Sequence, residues 1–472
     1  MTLSFLRSPS LLLINFVSFV LLLWLTFYLI GRMRIPWAFE LALVFQISPV
    51  MSGVANECAF VPVALCLFLL LNIVVNSCFI KKKGEMRRIL FILKGLPYPI
   101  DRDGLSVINY RLLKMASEDY WFDIISLSEE SKETILGTRG ISNRIARIMV
   151  LPDKISDSSS GRIFRLVARL FGKGTLPYDK LLREQERNYD LIYICTPPSA
   201  LYLSMFNCTT PMFVNAVDSF SMLNFRFYKQ HRTIARFIKY LMYRSVERRC
   251  FACSDVINFV SSVDADYSKN LLDRKKIIVI PNGVDYAYFN SGNAVEREEN
   301  ALLFVGNYKN ISNVTGIEYF VNKIYPLIKK RIPHLKLYIV GPYACFDFKD
   351  DDVIVTGYVE DLREYYRRCT VFIAPLLTGS GIKNKILEAM AAGIPIVSSS
   401  VGVDGIHVEN GRHLLIVDGI NQWCDEIVEL LRCIPKREKL AINAQNYVKS
   451  NYAWNGAVSQ YFQQFSSLIE RK

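Results

Sequence analysis

Apolar and polar positions divide the chain into two regimes that meet at about Arg88. Before that point the apolar residues run on without a period. Ser10–Ile30 and Ala59–Ile80 are uncharged stretches long enough to cross a bilayer as helices. Between them, Trp37–Ala55 carries Glu40, Gln46 and Pro49 and reads either as a third span or as an interfacial hairpin. Gly31-Arg32-Met33-Arg34 follows the first run where a signal peptidase would need small residues, so that run is not read as a cleaved leader. Basic residues favour three spans. Arg32 and Arg34 then lie on the same side as Lys81, Lys82, Lys83, Arg87 and Arg88, and Glu57 is the one charge between the second and third segments. The expectation is a membrane region over residues 1–87 with two or three helices. It makes the chain a multi-pass protein of the cell (inner) membrane, its remainder in the cytoplasm.

After Arg88, short apolar runs of strand length alternate with segments of helical period. Ile89–Leu93, Trp121–Ser126, Asp190–Cys195 and Met212–Val217 read as buried strands, with an amphipathic helix at Leu105–Ser117 and a basic, aromatic one at Phe225–Arg249. A second series follows the polar stretch Ser291–Asn300: strands at Ala301–Val305, Lys336–Val340, Val353–Val355, Val371–Pro375 and Ile394–Ser398. Its helices fall near Gly316–Arg331, at Leu362–Arg368 with Asp361 and Glu364 as a capping box, and at Ile382–Ala392 with Gly393 as the stop. Such alternation implies an α/β chain with a parallel, doubly wound sheet, and here it occurs twice. The domains expected are 88–285 and 299–452, followed by a last helix within 453–472.

Composition narrows the classes. At 472 residues and 51% apolar, the chain can bury real cores, and a formal charge of +13 asks for an anionic partner. Eleven scattered cysteines, an odd number, argue against a disulfide framework and for a reducing compartment. Cys250 and Cys253 form a C-x-x-C without a thioredoxin-like setting, and no cysteine or histidine pair has zinc spacing, so no metal is expected. Arginines alternate with apolar residues over Arg139–Arg169, a pattern that suits either a solvated helix face or an anionic bilayer. Arg232, Arg236, Lys239 and Arg244 interleave with Phe237, Leu241 and Tyr243, and no nucleic-acid module accompanies them. Anionic membrane lipid, or the pyrophosphate of a lipid-linked acceptor, is the better match, and no nucleic-acid partner is expected.

The chemistry concentrates in Val371–Gly405. A strand, a loop with Gly379 and Gly381, and the start of a helix make an anion site, because free peptide N–H groups and the helix dipole converge there. Lys383 and Lys385 open that helix. Glu388, three residues after Lys385, either looks into the same cleft or forms an exposed ion pair with it.

GSGIKNKILEAMAAGIPIV resembles the donor-binding segment of family 4 glycosyltransferases, retaining enzymes of the GT-B fold built from two facing Rossmann-like domains. The resemblance implies a ribose contact for Glu388, diphosphate contacts for Lys383 and Lys385, and a donor-lining loop of Gly379, Ser380 and Gly381. GLPYPIDRDG resembles the loop whose amides face the donor phosphates across the cleft, which points to Asp103 and Gly104. VNAVDSFSMLN resembles an acidic segment of a subset of these enzymes. Asp218 is either a carboxylate at the ligand end of its strand or the N-cap of the following helix. IIVIPNGVD resembles the crossing between domains, and the Trp454 helix resembles the one that braces the first domain. Two features depart from the pattern: Ser380 stands where many relatives have a glutamate, and Asn307 and Asn313 stand where basic residues are common.

The implied activity is retaining transfer from a UDP- or GDP-sugar to a lipid-linked or saccharide acceptor, in surface polysaccharide or glycolipid synthesis. Asp218, Lys383 and Lys385 are the catalytic candidates, and no metal or other cofactor is needed. The alternatives are an inactive GT-B scaffold and a GT-B nucleotide-sugar epimerase. A nicotinamide enzyme is disfavoured, since Asn384 occupies the third glycine place of a dinucleotide fingerprint.

Overall fold

A computed structural model of the chain describes residues 86–100, 104–150, 188–195, 209–269, 276–292 and 295–471, all within the unit Met86–Lys472. The three candidate membrane segments and Asp103 lie outside the described residues, as does most of Arg139–Arg169. Among the described residues no helix is long and apolar enough to cross a membrane.

The first domain is a parallel seven-stranded sheet in the order β3-β2-β1-β4-β5-β6-β7. Its strands are β1 (Arg87–Leu93), β2 (Tyr120–Ser126), β3 (Ile145–Val150), β4 (Leu191–Cys195), β5 (Met212–Val217), β6 (Val256–Phe259) and β7 (Lys276–Val279). Its helices are α1 (Gly104–Met115), α2 (Lys132–Ile141), α3 (Phe220–His231), α4 (Ile234–Ala252) and α5 (Ser262–Lys269). Strands β4, β5 and β6 are buried on both faces, as crossover helices on each side of a parallel sheet require.

After the short α6 (Tyr286–Asn290) comes a six-stranded sheet, also parallel, in the order β10-β9-β8-β11-β12-β13. It holds β8 (Ala301–Val305), β9 (Lys336–Val340), β10 (Val353–Gly357), β11 (Val371–Ala374), β12 (Ile396–Ser398) and β13 (Leu415–Ile416). Helices α7 (Ile311–Tyr319) and α8 (Tyr325–Arg331), joined by a π-helical turn at Phe320–Ile324, follow β8. Then come α9 (Leu362–Arg368), α10 (Asn384–Ala392), α11 (Ile420–Arg432), α12 (Ile434–Asn451) and α13 (Trp454–Ile469).

Several sequence expectations are corrected. The helix expected over Phe225–Arg249 is a hairpin of α3 and α4. Arg232 breaks it by adopting a left-handed φ of 44° and closing α3 through its N–H to Tyr228 O. The part of Arg139–Arg169 that is described runs from the end of α2 into edge strand β3, so it is not one helix face. At α9 only half of the capping box forms: Asp361 accepts the Arg363 N–H, while Glu364 pairs with Arg368. The helix expected near Gly316 starts earlier, at Ile311, because Asn310 caps it through the Ser312 N–H.

The chain crosses between domains twice, and the crossings touch. Val284 N–H donates to Tyr452 O at 2.7 Å, and the residues Val284 and Ala453 form a parallel bridge. Gly283 is required there, since a Cβ would fall 2.7 Å from Trp454 Cα. Helix α13 then lies on the first domain. Phe465 packs edge-on to Phe213 and Tyr193, and Arg87 reaches Ser466 and Glu470. A buried polar chain joins the helix to the sheet: Asn258 Nδ2 donates to Tyr461 Oη at 2.8 Å and to Asn215 Oδ1 at 3.0 Å, and Asn215 Nδ2 donates to Tyr193 Oη at 2.9 Å. Each amide is satisfied by its neighbour, so removing one hydroxyl strands a buried donor. Tyr461→Phe is expected to cost about 1–3 kcal/mol, read from the denaturant midpoint. A change below about 0.5 kcal/mol would show that the hydroxyl carries no such load.

Candidate active site

Loops from the C-terminal ends of both sheets meet, Gly381 against Asp218 and Asp264 and Gly104 beside Asn384, and the crevice between them is where doubly wound sheets leave room for ligands. From the second domain comes the loop between β11 and α10. Gly381 has a φ of 63°, which a glycine tolerates, and Lys383 occupies the N-cap of α10 with no side-chain cap. The N–H groups of Asn384 and Lys385 therefore have no intrahelical acceptor, while the Ile386 N–H donates back to Lys383 O at 2.9 Å. Ile386, Leu387, Met390 and Ala391 bury the opposite face, and Gly393 ends the helix in the left-handed region.

Lys385 and Glu388 are not an exposed ion pair. Lys385 Nζ donates to Asn313 Oδ1 at 2.7 Å and sits 4.4 Å from the Phe304 ring centre, while Glu388 accepts the Tyr366 hydroxyl at 3.1 Å. Both retain some solvent exposure, as groups lining a cleft do. Burial holds the Lys385 ammonium down at about 7, against partial relief from Glu388, and burial also raises Glu388. Asn313 is the partner that orients Lys385.

The first domain contributes Asp218 at the end of β5. Val217, a β-branched residue, has a φ of 62°, and Asp218 N–H closes back on Ala216 O at 2.7 Å, a γ-turn of the strained kind. The strand slips register against β6 at the same point. That kink turns Asp218 into the crevice. Asp218 is not the cap of α3, because Ser219 is: its hydroxyl accepts the Met222 N–H. A Cβ on Gly381 would lie 1.7 Å from Asp218 Oδ1, so only glycine lets the two domains approach this closely. Gly104, at the start of α1, also faces the cleft, with its Cβ direction 3.5 Å from Asn384 Nδ2.

Sequence reading missed two residues that tie these parts together. Asp264 on α5 is fully buried and accepts the Ser219 N–H at 2.7 Å and the Gly381 N–H at 2.9 Å, one from each domain. Arg226 on α3 crosses to Gly379 O at 2.5 Å and to Asp404 Oδ2 at 2.6 Å. Asp264 lies in an unremarkable SSVDAD segment, so its role had no local signal. Lys383 Nζ bonds to Ser380 O and Gly381 O, at 3.1 and 2.7 Å. Burial lowers its pKa, against the pull of Asp218, Asp404 and Asp264. Burial and the Asp264 charge push Asp218 up to about 7, opposed by Lys383 and by a hydrogen bond from the Ser380 side chain. Gly379, Ser380, Gly381, Lys383, Lys385, Glu388, Asp218 and Gly104 are thus brought together. Among the described residues no group of three or more His, Cys, Asp or Glu is placed to hold a metal.

Comparison with known proteins bears on the fold and the class of enzyme. A family profile described as "Glycosyl transferases group 1" matches residues 299–433. The protein is a glycosyltransferase. A 44.6 kDa protein from the cps region of Klebsiella pneumoniae is 24% identical over 80% of this chain and 100% of its own length. A GDP-mannose-dependent alpha-(1-6)-phosphatidylinositol monomannoside mannosyltransferase of Mycobacterium tuberculosis is 26% identical over 45% of this chain and 62% of its own, less than two thirds. Among solved structures, Anabaena Alr3699/HepE in complex with UDP superposes with a TM-score of 0.58 at 16% identity, covering 81% of this chain and 100% of that one. The fold is accordingly GT-B-like, two α/β domains with parallel sheets.

Two of the shifted groups, Asp218 and Lys385, give the transferase a pH signature. An Asp218 raised from 3.8 to about 7 keeps, between those values, a proton that the unfolded chain has released, so its contribution to stability falls as pH rises from 4 to 7. A Lys385 lowered from 10.5 to about 7 has lost a proton that the unfolded chain retains, so its contribution rises from pH 7 to 10. The thermal midpoint of wild type relative to Asp218→Asn should therefore drop across the acid window, and relative to Lys385→Met should climb across the alkaline one. Flat difference curves would contradict both assignments.

Proposed function

We propose that the enzyme transfers a sugar from a UDP- or GDP-sugar, with retention at the anomeric carbon, to a lipid-linked or saccharide acceptor. The setting proposed is the cytoplasmic face of the cell (inner) membrane, in the making of a surface polysaccharide or glycolipid. The observation that carries this reading is the pairing of Lys385 and Glu388 at a bare helix N-terminus inside the interdomain crevice. A nucleoside diphosphate needs positive charge at its phosphates and an acceptor for its ribose hydroxyls, and that end of α10 offers both. The UDP complex of the HepE neighbour supports a nucleotide-sugar partner, and the mannosyltransferase relative supports a lipid acceptor. Family 4 membership and the membrane region of residues 1–87 are part of the same proposal.

In this mechanism the second domain holds the diphosphate with Lys385 and the N–H groups of α10. Lys383 leaves its carbonyl partners to meet charge that develops on the departing phosphate. Asp218 faces the sugar from the first domain, where burial keeps it partly protonated near neutral pH and able to donate as well as accept a hydrogen bond. Gly104, with Asp103, supplies backbone close to the phosphates. The positive charge of lysines and peptide dipoles does what a divalent cation does elsewhere, so no metal cofactor enters the proposal.

Lys383→Ala and Glu388→Ala are each expected to lower transfer from a labelled nucleotide sugar by about a hundredfold or more while leaving the unfolding midpoint near wild type. Wild-type turnover in the Lys383 variant would remove that residue from the mechanism. Binding gives a second check. A diphosphate arriving beside Lys385 restores its proton, so UDP or GDP titrated at pH 8 should take up protons, seen as a dependence of the calorimetric enthalpy on buffer ionisation heat. The uptake should vanish in Lys385→Met.

A further inference from the structure

The α3–α4 hairpin has an inner side that serves the crevice and an outer side that does not. On the inner side Ser219 caps α3, Arg226 crosses to the Gly379 carbonyl, and the fully buried Glu247 of α4 accepts the Ser221 N–H at 3.1 Å. The outer side of α4 is open to solvent. Ile234, Ile238 and Leu241, spaced i, i+4, i+7, are 80%, 52% and 45% exposed, and Phe237 next to them is 39% exposed. One helix face thus presents four large apolar side chains to water within about two turns, more than scattered surface apolars account for.

Charge identifies what fits there. From Ser219 to Cys253 the sequence holds eight Lys and Arg residues and one acidic residue, Glu247, which is buried. Lys229, Arg232, Lys239, Arg244 and Arg248 are exposed, and Arg248 continues the line of Ile234 and Leu241 along α4. A second copy of the chain would oppose like charges across such a face, with no exposed carboxylate of the hairpin to pair them. Nucleic acid would meet the cations and leave the apolar row in water. An anionic bilayer satisfies both, with phosphates for the basic side chains and the acyl boundary for Ile234, Ile238 and Leu241.

We infer that the outer face of the α3–α4 hairpin docks on an anionic lipid bilayer. This deepens the membrane part of the proposed function and rests on it, though not on the sugar chemistry. The same hairpin carries Ser219 and Arg226, so docking sets the height and tilt of the crevice over the headgroups, where the head of a lipid-linked acceptor would enter.

The test uses the full chain in nanodiscs of phosphatidylcholine alone or mixed with phosphatidylglycerol. Ile238→Trp supplies a reporter, read as the difference in emission from the parent protein, with lipids brominated near the headgroup as quenchers. Leu241→Trp serves if the first variant folds poorly. The expected result is a blue-shifted, quenched signal in the phosphatidylglycerol discs alone, lost at high salt and in a variant combining Arg232→Glu with Lys239→Glu. Equal signals in the two kinds of disc, or no quenching in either, would overturn the inference. So would a shift in lipid-free detergent that grows with protein concentration, the mark of a second copy on this face. A thermal response to UDP or GDP is scored separately on the same samples. Quenching without any nucleotide response would sink the transfer reading alone, and a nucleotide response without quenching would sink the docking face alone.

Discussion

Two peptide N–H groups, one from each domain, converge on the carboxylate of Asp264, and the arrangement of the crevice follows from that meeting. A buried carboxylate is tolerable only when its oxygens are satisfied, so pulling the domains apart would strand Asp264 as well as break a contact. Its Oδ1 holds the turn that aims Asp218, and its Oδ2 holds the loop that leads into α10. Burial first, and the neighbouring Asp264 carboxylate second, push Asp218 up to about 7.

The remaining charges of the site read as a set prepared for an anion. Lys383 and Lys385 are both held in places where burial disfavours their charge, each near acidic groups that only partly compensate. A diphosphate entering at the end of α10 would change that balance, favouring protonated lysines and releasing Lys383 from the carbonyls it now bonds. Arg226, fastened to Asp404 and to the Gly379 carbonyl, keeps the glycine loop in place. The crossing at Val284 and Tyr452, with α13 fixed to the first sheet through Tyr461 and Phe465, gives the two domains one shared pivot.

Local pattern carried much of this in advance. The buried strands of both sheets and the α10 helix with its glycine stop follow from period and turn chemistry, since a parallel strand buried on both faces has few sequences open to it. The return of the last helix was implied only by the resemblance around Trp454. Lys383, Lys385 and Glu388 were legible because one short segment holds them. The hairpin at Arg232 was not, because the amphipathic pattern runs on through the break and an arginine in a left-handed conformation leaves no mark that glycine would have left. The half-made cap at Asp361 was hidden too, since Glu364 has a choice of partners that only its neighbours settle.

The order of elements, the twin α/β design and the cationic glycine segment were determined by the sequence itself, because hydrophobic period, capping and glycine placement act over a few residues. Tertiary structure alone decided that Asp218 is a crevice group and Ser219 the helix cap, that Lys385 hydrogen-bonds Asn313 while Glu388 accepts from Tyr366, and that Asp264 bridges the domains. These pairings join residues up to 117 positions apart, and both burial and the fields that shift a proton depend on what the fold stacks around a group, which no short stretch of chain encodes.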